Sequence, residues 1–537
     1  MNGIKSYFAD SKLLLFLLIL LGIILFPIIF FGNCPDNAIY LEAGRTILAG
    51  KKIYVDFIDL KPPLFYTLYA LLDILSFNSV ILFNVVSFVI FYLTSLILFF
   101  FVKQKIDLQT GFVASIIYAI SIVALNINTT GQVETLFSVF PLLTMIAYIK
   151  SIEQSTISIF SKKSISLILY AVLLAVIFSL KYTFGLILVG FILYDVLSGK
   201  FSKSEFIKRN FYVVVIFIIA TIPLHFLLFD KEIFKAYLLN FTFVKYYANL
   251  PALNIDLVKE IIKQTGIFFG DNFSLFFSIS FLFGLVVYLT KQSKEKNILV
   301  EVSFLMFIMF FVSVVIERKM FVYHFGRLFI PLSILTANGV SYLINFLKNK
   351  WKYKNLNMFS KLTIVSLLLF FLLVSPILRY LNILKTPVYY LKGQEAYFKY
   401  LDNHRAVTNL NYPQYLAANY INKNYPAKTN VLLIATSEFD LTYLLKENVI
   451  KMFPQRAYYL SAFSIPQYKT KFLKLLDLAD ILIIGKSDYS YHLTGNQYDS
   501  WQAVQKDTVY SKIINKKFKE VYSIKEYIIL QKMNDTF

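Results

Sequence analysis

Asn33–Pro63 reads NCPDNAIYLEAGRTILAGKKIYVDFIDLKPP. It follows the first long apolar segment directly, so it leaves a membrane on the side opposite the N-terminus. In a chain that is 16% charged overall, this short stretch holds Asp36, Glu42, Arg45, Lys51, Lys52, Asp56, Asp59 and Lys61. Its Lys61-Pro62-Pro63 end pins a cation beside two residues of fixed φ. Carboxylates and cations held at headgroup level suit chemistry on a lipid-linked phosphate, whereas the ordinary fate of such a stretch is a solvated loop between spans.

Outward from that stretch, composition sets the class. The chain has 537 residues, 58% of them hydrophobic, with 55 Phe and 38 Tyr, and its mean hydropathy is +0.63. These values describe a polytopic membrane protein. A net charge of +21 would suit nucleic acid if it were clustered on one face. Here many of the cations sit in short loops between apolar runs, as the positive-inside rule requires, and no nucleic-acid partner is expected. One cysteine, Cys34, excludes an internal disulfide and a cysteine-based zinc site, and four scattered histidines make no histidine metal centre, so the expected metal is none.

Lys5 and Lys12 precede Leu13–Phe31, which is too long for a signal peptide, lacks a small-x-small cleavage site and reads as a retained first span. Leu64–Phe77 is short and contains Asp73, as an interfacial or re-entrant helix would. Further spans are expected at Val80–Val102, Gly111–Leu125, Glu134–Ile149, Ile165–Leu180, Phe184–Leu197, Phe211–Phe229, Phe273–Leu289, Ile298–Ile316, Leu328–Phe346 and Leu362–Tyr380. The fold class is therefore mostly α, with about eleven transmembrane helices and a cytoplasmic N-terminus, in the cell (inner) membrane. Domain boundaries are expected at 1–380 for the membrane domain and 381–537 for an extracytoplasmic α/β domain. In the latter, Pro413–Asn424 reads as a helix, Val431–Ala435, Ile481–Ile484 and Tyr527–Leu530 as strands, and Asp440–Lys446 as helical. It has no Gly-rich phosphate loop, and no catalytic constellation is visible in it.

Four features on the outer face can carry chemistry. Asp36 can accept a proton from an attacking hydroxyl, or it can cap a helix over Asn37–Ala49. Within Asp56–Pro63, Lys61 can neutralise a phosphate or snorkel at the interface. Glu134 opens a span, where the helix dipole stabilises a carboxylate, yet acids at the membrane edge are often functional. The run from Arg318 to Arg327, with Tyr323, His324 and Phe325, suits a phosphate-sugar headgroup or an aromatic and basic belt. Lys181-Tyr182 carries the same ambiguity.

The order Pro35-Asp36, Tyr40, Ala43-Gly44-Arg45, Gly50, Tyr54, Asp56 and Lys61-Pro62-Pro63-Leu64 resembles the start of the protein mannosyltransferase-like glycosyltransferases of GT-C fold, a superfamily that includes the lipid A aminoarabinose transferases. Glu134, Lys181 and Tyr323-His324-Phe325 before Pro331 are similar to that family as well, and the resemblance spans roughly residues 13–346. It implies Asp36 and Glu134 as catalytic carboxylates, and Arg45, Tyr54, Asp56, Lys61, Lys181, His324 and Arg327 as substrate-binding residues. Lys61 would face a polyprenyl phosphate. Where the family often has Asp-Glu, this chain has Asp36-Asn37, which shifts weight to Glu134 or Asp56.

The implied activity is transfer of a sugar, with inversion, from a polyprenyl-phosphate donor to a glycan, lipid or protein acceptor on the outer face, with no cofactor and with membrane lipids as surroundings. The alternatives are a lipid-linked glycan polymerase or ligase, and a transporter or flippase. Transporters place functional charge near the bilayer midplane, while here the charge collects at the outer edge.

Overall fold

A computed structural model of the chain describes residues 2–31, 35–125, 131–153, 165–248, 255–273, 275–290, 297–318, 320–352, 381–403 and 412–533. The expected last span, Leu362–Tyr380, lies outside these residues, as do Cys34, Lys162, Lys163, Lys291, Lys294, Lys296, Lys319 and Lys354. The chain divides into two compact units. One comprises Met1–Phe31, Ile81–Leu224 and Val258–Pro387; the other comprises Gly32–Val80, His225–Leu257 and Val388–Phe537.

The first unit is helical. Ser11–Phe30, Val80–Lys105, Val133–Glu153, Lys203–Leu224, Ile298–Glu317 and Val322–Phe346 are long and apolar enough to cross a membrane. They carry the expected first, second, fourth, seventh, ninth and tenth spans. Shorter apolar helices, Leu108–Ala124, Ile165–Leu180, Tyr182–Ser198 and Phe277–Thr290, carry the third, fifth, sixth and eighth. Local chemistry sets their ends. Asp107 accepts from the Thr110 backbone N–H at 2.7 Å, and Asn297 accepts from that of Leu299 at 2.8 Å, each satisfying an orphan donor of a helix start. Pro223 stands at the end of Lys203–Leu224, so the seventh helix stops short of the expected Phe229 and begins earlier. Gly284 and Gly339 let two helices touch backbone to backbone: a Cβ on Gly339 would lie 2.0 Å from the Ser280 carbonyl oxygen. Small residues at helix crossings are the usual way to gain packing where no water is available to drive it.

The second unit is built on a five-stranded sheet of order β2-β1-β3-β5-β4, with β1 Asn430–Ile434, β2 Asn448–Ile450, β3 Ile481–Gly485, β4 Phe518–Ser523 and β5 Tyr527–Lys532. β2, β1 and β3 run parallel, and β5 is antiparallel to β3 and to β4. The parallel inner strands β1 and β3 are near-continuous Val, Leu and Ile because both faces are covered. Leu432, Ile434, Leu482, Ile484, Ile528 and Leu530 point to one core, while Val431, Leu433, Ile481, Ile483 and Ile529 point to the other. The helix Pro466–Leu478 sends Phe472 and Leu476 into the first core, and Tyr412–Asn424 sends Ala417 and Ile421 into the second. The expected strands at 431, 481 and 527 are present. β2 and β4 are additional, and the segment read as a helix from Asp440 is a short 3₁₀ turn, Phe439–Tyr443.

The same unit takes in the charged stretch of the first loop. Ile58 and Phe243 belong to the first core, and the Ile58 N–H donates to the Met452 carbonyl at 2.9 Å. Tyr443 donates to the Ala38 carbonyl at 3.1 Å. The first loop is thus structural material of this unit and not a solvated connection.

β1 and β3 are paired neighbours, with β2 beyond β1 and β5 beyond β3, so the chain order reverses between them, the place where α/β sheets open a crevice at their carboxyl ends. Glu438 and Asp440 follow β1 there. Glu438 Oε2 and Asp440 Oδ2 are buried without a hydrogen-bond partner among the described residues. Burial holds both carboxyls well above their ordinary range, and Asp488 and Asp440 push Glu438 further in the same direction. Because the folded state keeps its proton when the unfolded chain has lost it, this contribution costs nothing below about pH 4 and grows as pH rises towards the folded-state pKa. Glu438→Gln is therefore expected to raise the thermal midpoint of the full chain in detergent at pH 8, with the gain shrinking towards pH 4. A gain independent of pH would show that titration of Glu438 is not its cause.

Candidate functional site

With the first helix of the chain, Asn2–Leu25, as α1, the site in the second unit is built on α2 (Pro35–Leu48) and α3 (Pro63–Leu75). They meet at Gly44, where a Cβ would lie 2.6 Å from the Ala70 backbone nitrogen. α3 begins in the way its sequence demands: Pro62 is extended and Pro63 occupies the first turn, where its missing N–H costs nothing. Asp73, an acid inside an apolar helix, is 2% exposed and accepts a forked pair of bonds from Arg45 at 3.0 to 3.1 Å. The Arg45 guanidinium also lies 4.9 Å from the Tyr443 ring centroid. Arg45, expected to bind substrate, is thus committed to holding α2 on α3. Asp36 stands in the first turn of α2, inside the helix that starts at Pro35 and not as its cap. It is close enough to add, after burial, to the upward push on the Tyr247 hydroxyl, as Asp59 also does.

Lys61 is gripped by its backbone. Tyr54 donates its hydroxyl to the Lys61 carbonyl at 2.7 Å, and the Lys61 N–H donates to the Tyr66 hydroxyl at 2.9 Å. Tyr66 in turn donates to Asp59 Oδ2 at 2.6 Å, and Tyr458 donates to Asp59 Oδ1 at 3.0 Å. Burial raises the Asp59 carboxyl, while the Tyr66 hydroxyl and the Lys61 charge pull it back. Tyr54 itself adopts a left-handed backbone, φ 69°, a strain a bulky residue accepts only when its surroundings dictate it. The Lys61 ammonium lies 5.5 Å from the Tyr40 ring centroid. Among the described residues it has no carboxylate at ion-pair distance. Lys52, by contrast, pairs with Asp230 at 2.9 Å and Glu232 at 2.8 Å. Asp56 is exposed and accepts from the Lys52 N–H at 2.8 Å.

The first unit assembles the remaining expected residues. Glu134 lies in the short helix Val133–Leu136 and is 1% exposed. Lys181 bonds to Glu134 and sits 2.8 Å from Glu317 Oε2. Arg327 reaches Glu134 at 3.0 Å, Glu317 at 2.9 Å and the Ser313 hydroxyl at 2.7 Å. His324 Nδ1 is 3.3 Å from Glu317, and Thr183 donates to Glu317. Two carboxylates are thus matched by two permanent cations, the condition under which charges survive burial. Glu134, Glu317 and His324 could also hold a metal ion, since one ligand atom from each lies within 4.8 Å of the others. Lys181 and Arg327 already supply the positive charge there.

The expected residues therefore form two groups: Asp36, Arg45, Tyr54, Asp56 and Lys61 in one unit, and Glu134, Lys181, His324 and Arg327 in the other. Sequence reasoning missed Glu317, although the turn beginning there was legible and an acid beside two cations was its signal. It also missed the pairing of Asp59 with Tyr66 and Tyr458; the bond from Tyr458 spans 399 residues and leaves no local trace.

A family model described as dolichyl-phosphate-mannose-protein mannosyltransferase matches residues 60–226, a range that includes Lys61, Glu134 and Lys181. No curated protein matches the chain. Among solved structures, the chain is similar to ArnT from Cupriavidus metallidurans bound to undecaprenyl phosphate, at 11% identity and a TM-score of 0.59, covering 98% of this chain and 99% of that one. The apo state of the same protein gives 11% identity and a TM-score of 0.58, covering 97% and 98%. The chain has that fold.

Removing one partner of a buried, charge-balanced group leaves an uncompensated charge, at a cost of roughly 3–5 kcal/mol. Arg327→Met is expected to cost about that much and to lower the thermal midpoint in detergent more than Lys181→Met, because Lys181 remains partly open to solvent. Equal, small shifts for both would mean that the cluster is not the buried support described here.

Proposed function

We propose that this GT-C-type membrane protein transfers a sugar from a polyprenyl-phosphate carrier to an acceptor hydroxyl on the outer face of the cytoplasmic membrane. The observation that carries the reading is Lys61: a cation whose N–H and carbonyl are both fixed by buried tyrosine hydroxyls, and whose ammonium has no carboxylate at ion-pair distance among the described residues. A rigidly seated cation with no carboxylate at ion-pair distance among the described residues is suited to an anionic group brought by a substrate. Support comes from the family-model match, which begins at residue 60, and from the similar fold of a protein crystallised with undecaprenyl phosphate.

In this reading the acceptor oxygen attacks the anomeric carbon as the bond from that carbon to the phosphate oxygen breaks. The electron pair leaves with the phosphate, where Lys61 stabilises the growing negative charge. Asp36 takes the proton of the attacking hydroxyl, and the displacement inverts the anomeric centre. Tyr54 and Tyr66 do not touch the reacting atoms; they position Lys61. The Arg45–Asp73 pair holds α2, which carries Asp36, against α3, which begins beside Lys61.

Lys61→Ala should lower turnover with a polyprenyl-phosphate sugar by about ten- to a hundredfold, the worth of one charge-assisted contact of roughly 1.5–3 kcal/mol. Donor KM should rise and acceptor KM should change little. Lys61→Arg should restore only part of the loss, because a planar fork does not replace an ammonium beside two prolines. Equal activity of Ala, Arg and Gln variants per mole of folded protein would remove Lys61 from the site.

Asp36→Asn keeps the shape and removes the base, so turnover should fall about a hundred- to ten-thousandfold with an unchanged thermal midpoint. Near-normal turnover would leave Asp36 with a role in the first turn of α2 alone.

A further inference from the structure

The second unit contains a cavity of about 370 Å³ between the segment that follows α2 and the edge of the sheet at β2. Glu42, Lys51, Asp56, Glu447, Asn448 and Lys451 line it, and Phe57 forms part of its wall. The size falls within the range of small-molecule sites, roughly 300–1,000 Å³, but the lining is far more polar than such sites usually are.

That lining narrows the ligand. Three carboxylates face two ammonium groups, and Lys451 already pairs with Glu42 at 2.7 Å, with the Arg45 guanidinium 3.9 Å from the same carboxylate. Charge is close to balanced, so neither a phosphate nor a polycation finds a field that favours it. The apolar residues of the lining, Phe57, Leu445, Val449 and Met452, are outnumbered by polar ones, which does not suit a polyprenyl chain. Acceptors (Glu42, Asp56, Glu447) and donors (Lys51, Lys451, the Asn448 amide) stand side by side, which suits a ligand whose every polar group both donates and accepts. A hydroxyl-rich neutral ring has that property.

The walls are also held in place before any ligand arrives. Ile58 is bonded by its backbone to Met452 at 2.9 Å. Phe57 packs edge-on against Phe439 at 6.0 Å. The Tyr443 ring lies 4.9 Å from the Arg45 guanidinium and 5.8 Å from the Lys451 ammonium. Such pre-organisation lowers the cost of ordering side chains on binding.

We infer that this cavity is a subsite for one neutral, hydroxyl-rich sugar unit. The inference deepens the proposed transferase function and rests on it for the origin of that sugar, which is either the carried sugar of the donor or a residue of an acceptor glycan.

The test is direct binding to the purified full chain in detergent, by saturation-transfer NMR titration with methyl α-glucoside, methyl α-mannoside and N-acetylglucosamine. Saturable binding of at least one is expected. Asn448 is exposed at the cavity, so Asn448→Trp should fill the space and weaken binding about tenfold or more, whereas Asn448→Ser should keep it. Lys51, also exposed, gives a second variant without a bulky group: Lys51→Met should weaken binding about threefold to tenfold. No saturable binding of any of the three sugars overturns the inference, as does binding that both Asn448→Trp and Lys51→Met leave unchanged.

The source is read from turnover with the Asn448→Trp protein. A raised acceptor KM with donor KM unchanged assigns the subsite to the acceptor, and the reverse assigns it to the donor. Sugar binding that survives while the Lys61 variants prove fully active would overturn the phosphate role of Lys61 and leave the subsite standing.

Discussion

Asp59 is the point on which the second unit depends. Three segments far apart in sequence converge on this one residue: Tyr66 and Tyr458 donate to its carboxyl oxygens at 2.6 and 3.0 Å, and Asn240 donates to its carbonyl at 3.0 Å. Tyr468 then donates to Asn240, closing the chain of bonds back onto the sheet domain. A buried carboxyl is costly on its own, and each bond from a neutral donor to a charged acceptor returns only about 1.5–3 kcal/mol. Several are needed, and they must come together or not at all. That requirement makes the first loop, the segment after His225 and the C-terminal domain one unit instead of three appendages.

The first unit solves the same problem with charge in place of hydroxyls. Glu134 and Glu317 are neutralised by Lys181 and Arg327, and His324 completes the ring of contacts. Gly326 allows the turn before Arg327 to approach Glu134, since a Cβ there would lie 2.5 Å from the Thr135 methyl. Hydroxyls can share one carboxylate without adding charge, but they specify geometry only through many partners. Permanent cations specify it with few, at the risk that loss of one leaves a bare charge. The two units thus differ in how sharply each responds to a single substitution.

Much of this organisation was legible in the sequence because the membrane leaves few choices. Apolar runs separated by Lys-rich loops located ten helices that the structure contains, and the strands at Val431, Ile481 and Tyr527 announced themselves as unbroken buried runs. Edge strands did not: β4 reads Phe-Lys-Glu-Val-Tyr-Ser, with its outward side chains exposed, and β2 has only three residues. Of the site, the residue types were legible and their employment was not. Arg45 looked like a ligand-binding cation until Asp73 supplied its partner across two helices. Tyr54 looked like a substrate contact, and its hydroxyl is spent on the Lys61 carbonyl. Spacing in sequence reports which groups are near one another along the chain, whereas pairing is decided by how the folded segments turn those groups towards each other.

The cations of the described residues differ in the partners they meet. Arg45, Lys52, Lys181, Arg327 and Lys451 each meet a carboxylate. Lys61 meets an aromatic ring, and all the precision of its surroundings is applied to its backbone. A lysine that merely snorkels requires a long stem and access to water, and nothing of its backbone beyond what the helix start gives. It has no use for two buried tyrosine hydroxyls, one of them on a residue in a left-handed conformation that costs of order 1–3 kcal/mol to maintain. Tyr54 holds that conformation while its hydroxyl donates to the Lys61 carbonyl, where the stem of Lys61 begins. Fixing the origin of a side chain matters only when its end has a defined place to be, and an anion brought from outside the protein is what would define it.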